Sequence, residues 1–333
     1  MKISIIQQDI AWADIAENIR KADVAVDSDP GADLYVLPEM FTTGFCTNPE
    51  GIAEVHPGAS LEWMKKKAAA VDAAVAGSVA VCEDGRFYNR FYFVKPDGEA
   101  VWYDKKHLFT YGGEQDRYTA GKERVVVEFR GVRILLEVCY DLRFPIWSRN
   151  RGDYDMILYV ASWPSVRVAA WKSLLVARAI ENQCYVAGVN RVGNDPYNEY
   201  DGGSMVIDPY GRMIASCEDG VEMTTSAEVD MPAGDSEGCR HFWIAIWMTC
   251  SPVDRVWARS CWIGREDPSP RCCVPIPPRW RRSWGRVRWT SGCVTEKTEP
   301  SRCCPSRSCC CSPPSSPRGS HPAACPCSTP CPS

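Results

Sequence analysis

Short apolar runs alternate with segments of helical pattern along most of this chain, and this alternation limits the folds that it can adopt. Lys2 to Gln7 is predicted to be a buried strand, and Asp14 to Val26 has apolar residues at helical spacing. A second apolar run, Asp33 to Pro38, follows at once, and similar segments continue to Ser216. Strands that alternate with helices and hairpins predict a layered α/β or α+β domain.

The composition changes near residue 237. Residues 1–236 carry 24 basic and 36 acidic side chains and five of the 19 cysteines, whereas residues 237–333 hold 14 cysteines, 15 of the 25 prolines and an excess of arginine. We therefore predict an acidic globular domain over 1–236 and a separate tail over 237–333. The tail could be a disordered segment, a metal-binding segment, or the out-of-frame translation of a GC-rich gene. Its clustered Cys, Pro, Arg and Trp with a single Lys favour the last.

The acidic part argues against several classes of protein. Its net negative charge does not suggest nucleic-acid binding, and no stretch approaches the roughly 18 apolar residues of a membrane span. The first residues contain too few apolar positions for a secretion signal. Five cysteines without paired spacing fit a reducing cytoplasm better than a disulfide framework. We expect a cytoplasmic protein that binds neither nucleic acid nor a membrane.

Three reactive side chains follow strand-like segments. Glu39 comes directly after Pro38, which cannot continue a central strand, and Lys105 follows the second strand of a predicted hairpin. Cys139 ends the apolar strand Arg133 to Val138. Alone, each has a commoner explanation: a capping carboxylate, a surface cation and a buried structural thiol. Together they supply the base, the cation and the nucleophile that acyl transfer requires.

The surroundings of Cys139 lead to two further expectations. Pro145 to Arg151 is predicted to be a helix behind the thiol, whose amide groups would favour the thiolate. His107 is the rival base, since a Cys–His pair would resemble the cysteine proteases. Because His107 lies between Lys106 and apolar residues, we favour a packed or positioning role for it.

Three ordered motifs carry a family resemblance. Pro38 to Phe45, Tyr103 to Phe109 and Val138 to Pro145 resemble the glutamate, lysine and cysteine signatures of the nitrilase/amidase (carbon–nitrogen hydrolase) superfamily. Three later segments resemble its bacterial ω-amidase branch, which acts on ω-amides of dicarboxylic keto acids: residues 159–164, 177–182 and 189–193. The likeness covers about residues 1–232, and the chain departs from the family pattern after Met231.

The resemblance implies a four-layer αββα sandwich, paired into a homodimer, without a metal or an organic cofactor. It implies that Glu39 is the base, that Cys139 is the nucleophile, and that Lys105 and the Tyr140 backbone N–H stabilise the oxyanion. Glu114 matches the second glutamate of the family, which positions the lysine and the substrate.

The resemblance also implies hydrolysis of a small linear amide, most simply the ω-amide of a dicarboxylic keto acid, through a cysteine thioester. Arg143, Arg178, Asn190 and Arg191 are the candidates for binding a substrate carboxylate, and a structural ion pair is the alternative for each. Two other functions remain open: an N-carbamoyl-amine or aliphatic amide hydrolase of the same superfamily, and a catalytically inactive relative of the fold.

Overall fold

The computed structural model describes residues 1–230. Within that range three α-helices and fifteen strands follow one another in the alternating order that the sequence pattern predicts. The helices are α1 Ile15–Ser28, α2 Ala59–Val71 and α3 Val168–Asn182. The strands are β1 Lys2–Gln7, β2 Leu34–Val36, β3 Glu54–Val55, β4 Ala74–Glu83, β5 Arg86–Val94, β6 Ala100–Asp104, β7 Val126–Phe129, β8 Val132–Val138, β9 Met156–Ala161, β10 Tyr185–Asn190, β11 Val192–Asn194, β12 Glu199–Asp201, β13 Met205–Ile207, β14 Met213–Ser216 and β15 Met223–Glu228.

Two sheets contain most of these strands. The first has the order β15-β1-β2-β4-β5-β6, with β3 paired to β4, and the second has the order β14-β13-β10-β9-β8-β7. Strands β1, β2 and β4 run parallel, as do β8, β9 and β10. Helices α1, α2 and α3 make three of these parallel connections, which require crossovers of this length. Strands β11 and β12 form a separate ribbon.

The two sheets share the main apolar core. Side chains of both sheets form one buried cluster, which includes Ile5, Val36, Phe93, Leu136 and Leu158. Burial of this apolar surface is the main force that holds two sheets face to face. The strand β15 was not predicted from the sequence; it pairs along the whole of β1 and so closes that edge of the first sheet.

The helices cover the outer faces of the sheets. Apolar residues of α1 and α2, among them Val26 and Met64, pack against the first sheet. Trp171 and Leu175 of α3 lie over the second sheet at Gly188, where a Cβ atom would meet Leu175 at 2.4 Å. The order helix, sheet, sheet, helix confirms the predicted four-layer αββα sandwich.

One expectation from the sequence is not met within residues 1–230. The helix predicted at Pro145 to Arg151 is wrong: a short 3-10 turn, Cys139–Arg143, begins at the cysteine itself and is followed by non-helical turns. The Phe144 backbone N–H bonds to the Asp141 carbonyl and the Trp147 N–H to the Phe144 carbonyl, so the stretch closes separate three-residue turns. The predicted boundary after residue 236 and the tail over 237–333 lie outside the described residues.

None of the helices found within residues 1–230 combines the length and the apolar character that a membrane crossing requires.

Candidate active site

Three strand ends from both sheets meet at one place. Glu39 follows β2, Lys105 follows β6 directly, and Cys139 follows β8 directly. The structure brings these three side chains together, with Glu114 beside them. Crossover folds commonly build their sites at such carboxyl ends, because the loops there are free to vary while the sheets hold them.

Lys105 is the centre of a buried ion network. Its Nζ lies 2.9 Å from Oε1 of Glu39 and 2.9 Å from Oε2 of Glu114, and all three side chains are fully buried. Burial disfavours the charged ammonium, but the Glu114 and Glu39 charges outweigh that cost and hold the pKa of Lys105 well above its usual value. Lys105 is therefore a fixed cation in a water-poor site.

Two groups that the sequence did not single out also hold the carboxylates. Asn89 Nδ2 donates to Glu39 Oε1 at 2.8 Å and to Glu114 Oε1 at 3.1 Å, and the Ser162 backbone N–H donates to Glu39 Oε2 at 2.8 Å. Asn89 lies inside the largely aromatic strand β5, between Tyr88 and Arg90, and asparagine is disfavoured in strands. That mismatch was the one signal that could have identified it.

Cys139 is held in an unusual backbone conformation. Its φ is 45°, in the left-handed region that residues other than glycine seldom adopt. Burial, and after it the Glu39 charge, raises the pKa of the Cys139 thiol well above its usual value, with Lys105 acting in the opposite sense. The resting side chain is therefore a neutral thiol, and its activation requires a neighbouring base.

Asp141 holds the turn that carries Cys139. Its carboxylate accepts hydrogen bonds from the Tyr103 hydroxyl at 2.8 Å and from the Val138 backbone N–H at 3.0 Å. The His107 backbone N–H donates to it at 2.9 Å, and His107 Nδ1 lies 2.7 Å from the same oxygen. Through these contacts with Asp141, His107 is linked to the turn that carries Cys139, and its positioning role stays a prediction.

A cavity opens beside Cys139. Tyr140 and Arg143 of the same turn line it, together with Arg167 and Asn198. Its remaining surface is mostly aromatic and comes from Phe45, Phe109, Trp163 and Tyr200. An apolar cavity with a few polar groups next to a reactive side chain is the usual form of a small-molecule site.

The four predicted substrate-binding residues have different positions. Arg143 lines the cavity, and Arg178, Asn190 and Arg191 are absent from its lining. Arg178 donates to Glu181 and to a backbone carbonyl of the nucleophile turn, while Asn190 bonds to the backbone at both ends of its amide.

Arg191 is buried and donates to Asp9 and to three backbone carbonyls. Its guanidinium carbon lies 4.5 Å from the ring centre of Tyr200, which is part of the cavity wall. These contacts give Arg178, Asn190 and Arg191 structural partners within the protein. Among the described residues, Arg143 is the one of the four whose guanidinium has no hydrogen-bond or ion-pair partner and lines the cavity.

Glu137 is a buried acid behind this site. It lies two residues before Cys139, and within the described residues neither carboxylate oxygen has a hydrogen-bond partner. Burial, and after it the Asp141 charge, raises the pKa of Glu137 well above its usual value, against the pull of Arg124 and Arg178. Between the ordinary pKa of the unfolded chain and the raised pKa of the folded protein, Glu137 is protonated in the folded state and ionised in the unfolded state. The free energy of unfolding therefore falls as pH rises through this interval.

Glu137→Gln is expected to melt roughly 2–4 °C higher than the parent at pH 7.5, because the neutral amide removes the proton linkage. The gain should shrink towards pH 4.5, where the unfolded carboxyl is also largely protonated. Circular dichroism melting curves at both pH values measure this. Exposed Glu128→Gln is the matched control and should show no gain. A lower melting temperature for Glu137→Gln at pH 7.5 would contradict the assignment.

A buried thiol, a carboxylate and a fixed cation lie together beside a small cavity, an arrangement that can support acyl transfer. Residues 2–236 match the carbon-nitrogen hydrolase family, and the chain belongs to that family. It is a hydrolase of carbon–nitrogen bonds in amides other than peptides.

Named relatives agree with this class. The chain is 47% identical over 232 residues to omega-amidase YafV of Yersinia enterocolitica, an alignment that covers 69% of this chain and 90% of that protein. It is 39% identical over 237 residues to 2-oxoglutaramate amidase of Bacillus subtilis, with 69% and 90% covered. The crystal structure of XC1258 from Xanthomonas campestris, a CN-hydrolase superfamily protein with an arsenic adduct in the active site, has a TM-score of 0.70. That protein is 40% identical, and the match covers 75% of this chain and 97% of that one.

Proposed function

We propose that this protein hydrolyses the ω-amide of a dicarboxylic keto acid to the free acid and ammonia. The observation that carries the proposal is the buried Glu39–Lys105–Glu114 network beside Cys139, at a cavity that also presents Arg143. The network provides the acyl-transfer chemistry, and the arginine provides a partner for a carboxylate at the other end of the substrate. The names of the omega-amidase and 2-oxoglutaramate amidase relatives support this choice of substrate.

In the first half of the proposed reaction, Glu39 accepts the thiol proton as Cys139 attacks the amide carbon. The carbonyl oxygen becomes negative and is stabilised by the Lys105 ammonium and the Tyr140 backbone N–H. The protonated Glu39 then donates its proton to the leaving nitrogen. Ammonia departs, and a thioester on Cys139 remains.

In the second half, Glu39 takes a proton from water as that water attacks the thioester carbon. The same oxyanion contacts stabilise the new intermediate, and the carbon–sulfur bond breaks to release the acid. The thiolate recovers its proton from Glu39, which returns the site to its starting state. Glu114 and Asn89 act through Lys105 and Glu39, since they hold both groups in place by hydrogen bonds.

Ammonia release from three amides tests the function itself. We expect fast, cysteine-dependent release from 2-oxoglutaramate, and slower release from pentanamide and from an N-carbamoyl amine. Preference for pentanamide or for the carbamoyl compound would replace the proposal with one of the two alternative hydrolases. Absence of release from every amide, by a folded chain, would instead identify an inactive relative of the fold.

Arg143→Ala is expected to raise KM for 2-oxoglutaramate by about 10- to 100-fold, the usual contribution of charge-assisted hydrogen bonds. KM for pentanamide, which has the same number of carbons and no carboxylate, should change little. Steady-state ammonia assays on both substrates measure the difference. An equal rise in KM for both amides would mean that Arg143 shapes the cavity but does not bind the substrate carboxylate.

The remaining expectations also stay proposals. We propose a homodimer, which the family resemblance implies, and a cytoplasmic setting, where a free thiol nucleophile stays reduced. The proposed reaction uses Glu39, Lys105 and Cys139 and requires no metal or organic cofactor. Size-exclusion chromatography with light scattering would test the homodimer.

A further inference from the structure

Arg167 is a second cation in the wall of the cavity. It ends the short 3-10 turn Ser165–Arg167 that leads into α3, and its side chain lines the same space as Cys139 and Arg143. The sequence offered no reason to select it, because it belongs to none of the three ordered motifs. Only the fold brings it to the nucleophile.

Both cavity arginines lie against aromatic rings. The guanidinium carbon of Arg143 is 4.9 Å from the ring centre of Trp163, and that of Arg167 is 5.5 Å from the ring centre of Phe109. Phe109 and Trp163 are themselves part of the cavity wall. Contact with an aromatic face orients a guanidinium while leaving its N–H groups available.

The rings under the two arginines are tied to the reaction centre. The Phe109 backbone N–H donates to Glu114 Oε2 at 2.6 Å, so Arg167 lies over a residue that also holds the ion network. Trp163 Nε1 donates to the Arg167 carbonyl at 2.8 Å, which links the supports of both cations. Hydrogen bonds therefore hold the aromatic rings under both guanidinium groups beside the reaction centre.

Neither side chain has an anionic partner within residues 1–230. The salt bridges and guanidinium hydrogen bonds found there include those of Arg178 and Arg191, but none is made by the guanidinium of Arg143 or Arg167. Two like charges beside one small cavity repel each other, and a bound anion removes that cost. The arrangement is therefore suited to a ligand that brings its own negative charge.

We propose that Arg167 is a specificity-determining residue that, together with Arg143, binds the carboxylate end of the substrate while the amide lies at Cys139. Two guanidinium groups can share both oxygens of one carboxylate and also reach an adjacent 2-oxo group. This deepens and rests on the proposed function: the preferred substrate is a linear amide with a carboxylate at its far end. A neutral amide of equal length gains nothing from this pair.

The test compares Arg167→Met and Arg167→Lys with the parent on three five-carbon amides. These are 2-oxoglutaramate, glutaramate without the oxo group, and neutral pentanamide. Arg167→Met should raise KM for both acidic amides by about 10- to 100-fold with kcat changed little, and should leave pentanamide unaffected. Arg167→Lys should recover part of the loss, because it restores the charge but not the fork of donors.

Arg212→Met is the matched control. The guanidinium carbon of Arg212 also lies over an aromatic ring, 5.0 Å from the centre of Tyr210, but Arg212 does not line the cavity. Its loss should change none of the three KM values. If Arg167→Met raises KM equally for acidic and neutral amides, or changes neither, the proposal is wrong.

A binding measurement separates this proposal from the proposed function. Titration calorimetry of 2-oxoglutarate, the acid product, into Cys139→Ala needs no turnover. The Kd should rise by about tenfold or more when Arg167→Met is added, and should stay constant when Arg212→Met is added. If Arg167→Met weakens the binding of 2-oxoglutarate while the parent protein shows no amidase activity, the carboxylate site is supported and the proposed reaction is rejected. An unchanged Kd would reject the carboxylate site whatever the activity.

Discussion

Cys139→Ala is expected to lower amide hydrolysis by about 10⁴-fold or more, to the assay background. The proposed reaction passes through a thioester, and alanine offers no atom that could form it. The fold should survive, because the side chain changes by a single sulfur atom in a turn that Asp141 holds from both sides. Ammonia release measured beside a melting curve gives both quantities from one preparation.

Cys82→Ala provides the matched control for the thiol. Cys82 is also a free cysteine, but it lies in β4 and is absent from the cavity lining. Its variant should keep the activity of the parent, and trapping of a labelled acyl group should follow Cys139 alone. Substantial turnover by a folded Cys139→Ala chain would reject covalent catalysis at this residue.

Lys105→Met is expected to reduce kcat by about 10²- to 10³-fold and to destabilise the fold by about 3–5 kcal/mol. The loss of rate reflects the missing oxyanion partner. The loss of stability has a different cause, since Glu39 and Glu114 would remain fully buried without their shared cation. Initial rates and urea unfolding curves measure the two effects separately.

Two further variants distinguish these causes. Adding Glu114→Gln to Lys105→Met removes one unpaired carboxylate, so it should recover stability but not activity. Lys106→Met is the control. The Lys106 ammonium lies 5.6 Å from the centre of the Trp147 ring and has no part in the buried network. If the double variant recovered activity as well, Lys105 would serve only to neutralise the carboxylates.

Local patterns were enough to predict much of the fold. Strand β1 has the bounds that its apolar run indicates, and β8 begins within one residue of the prediction. The prediction of these strands is correct because the spacing of apolar residues is a property of neighbouring residues. The helix expected after Cys139 is absent because the backbone there closes separate turns, in which the Trp147 N–H bonds to the Phe144 carbonyl.

Long-range contacts were beyond such patterns. Asn89 reaches Glu39 across 50 positions of sequence and Ser162 reaches it across 123, and no local spacing encodes either hydrogen bond. The sequence predicts that Arg191 could bind a substrate carboxylate, but its guanidinium is already bonded to Asp9 and to backbone carbonyls. A cation looks the same in sequence whether it is free or already paired.

The sequence by itself determined the layered class of fold and the family, and it predicted Glu39, Lys105 and Cys139 as the reactive groups. These features can be recognised from the sequence because strand ends and motifs consist of consecutive residues. The tertiary structure decided which charges are buried together, which arginines of residues 1–230 lack an anionic partner there, and that Arg143 and Arg167 share one cavity with Cys139. Those properties depend on distances between residues that are remote along the chain, which only the packing of two sheets defines.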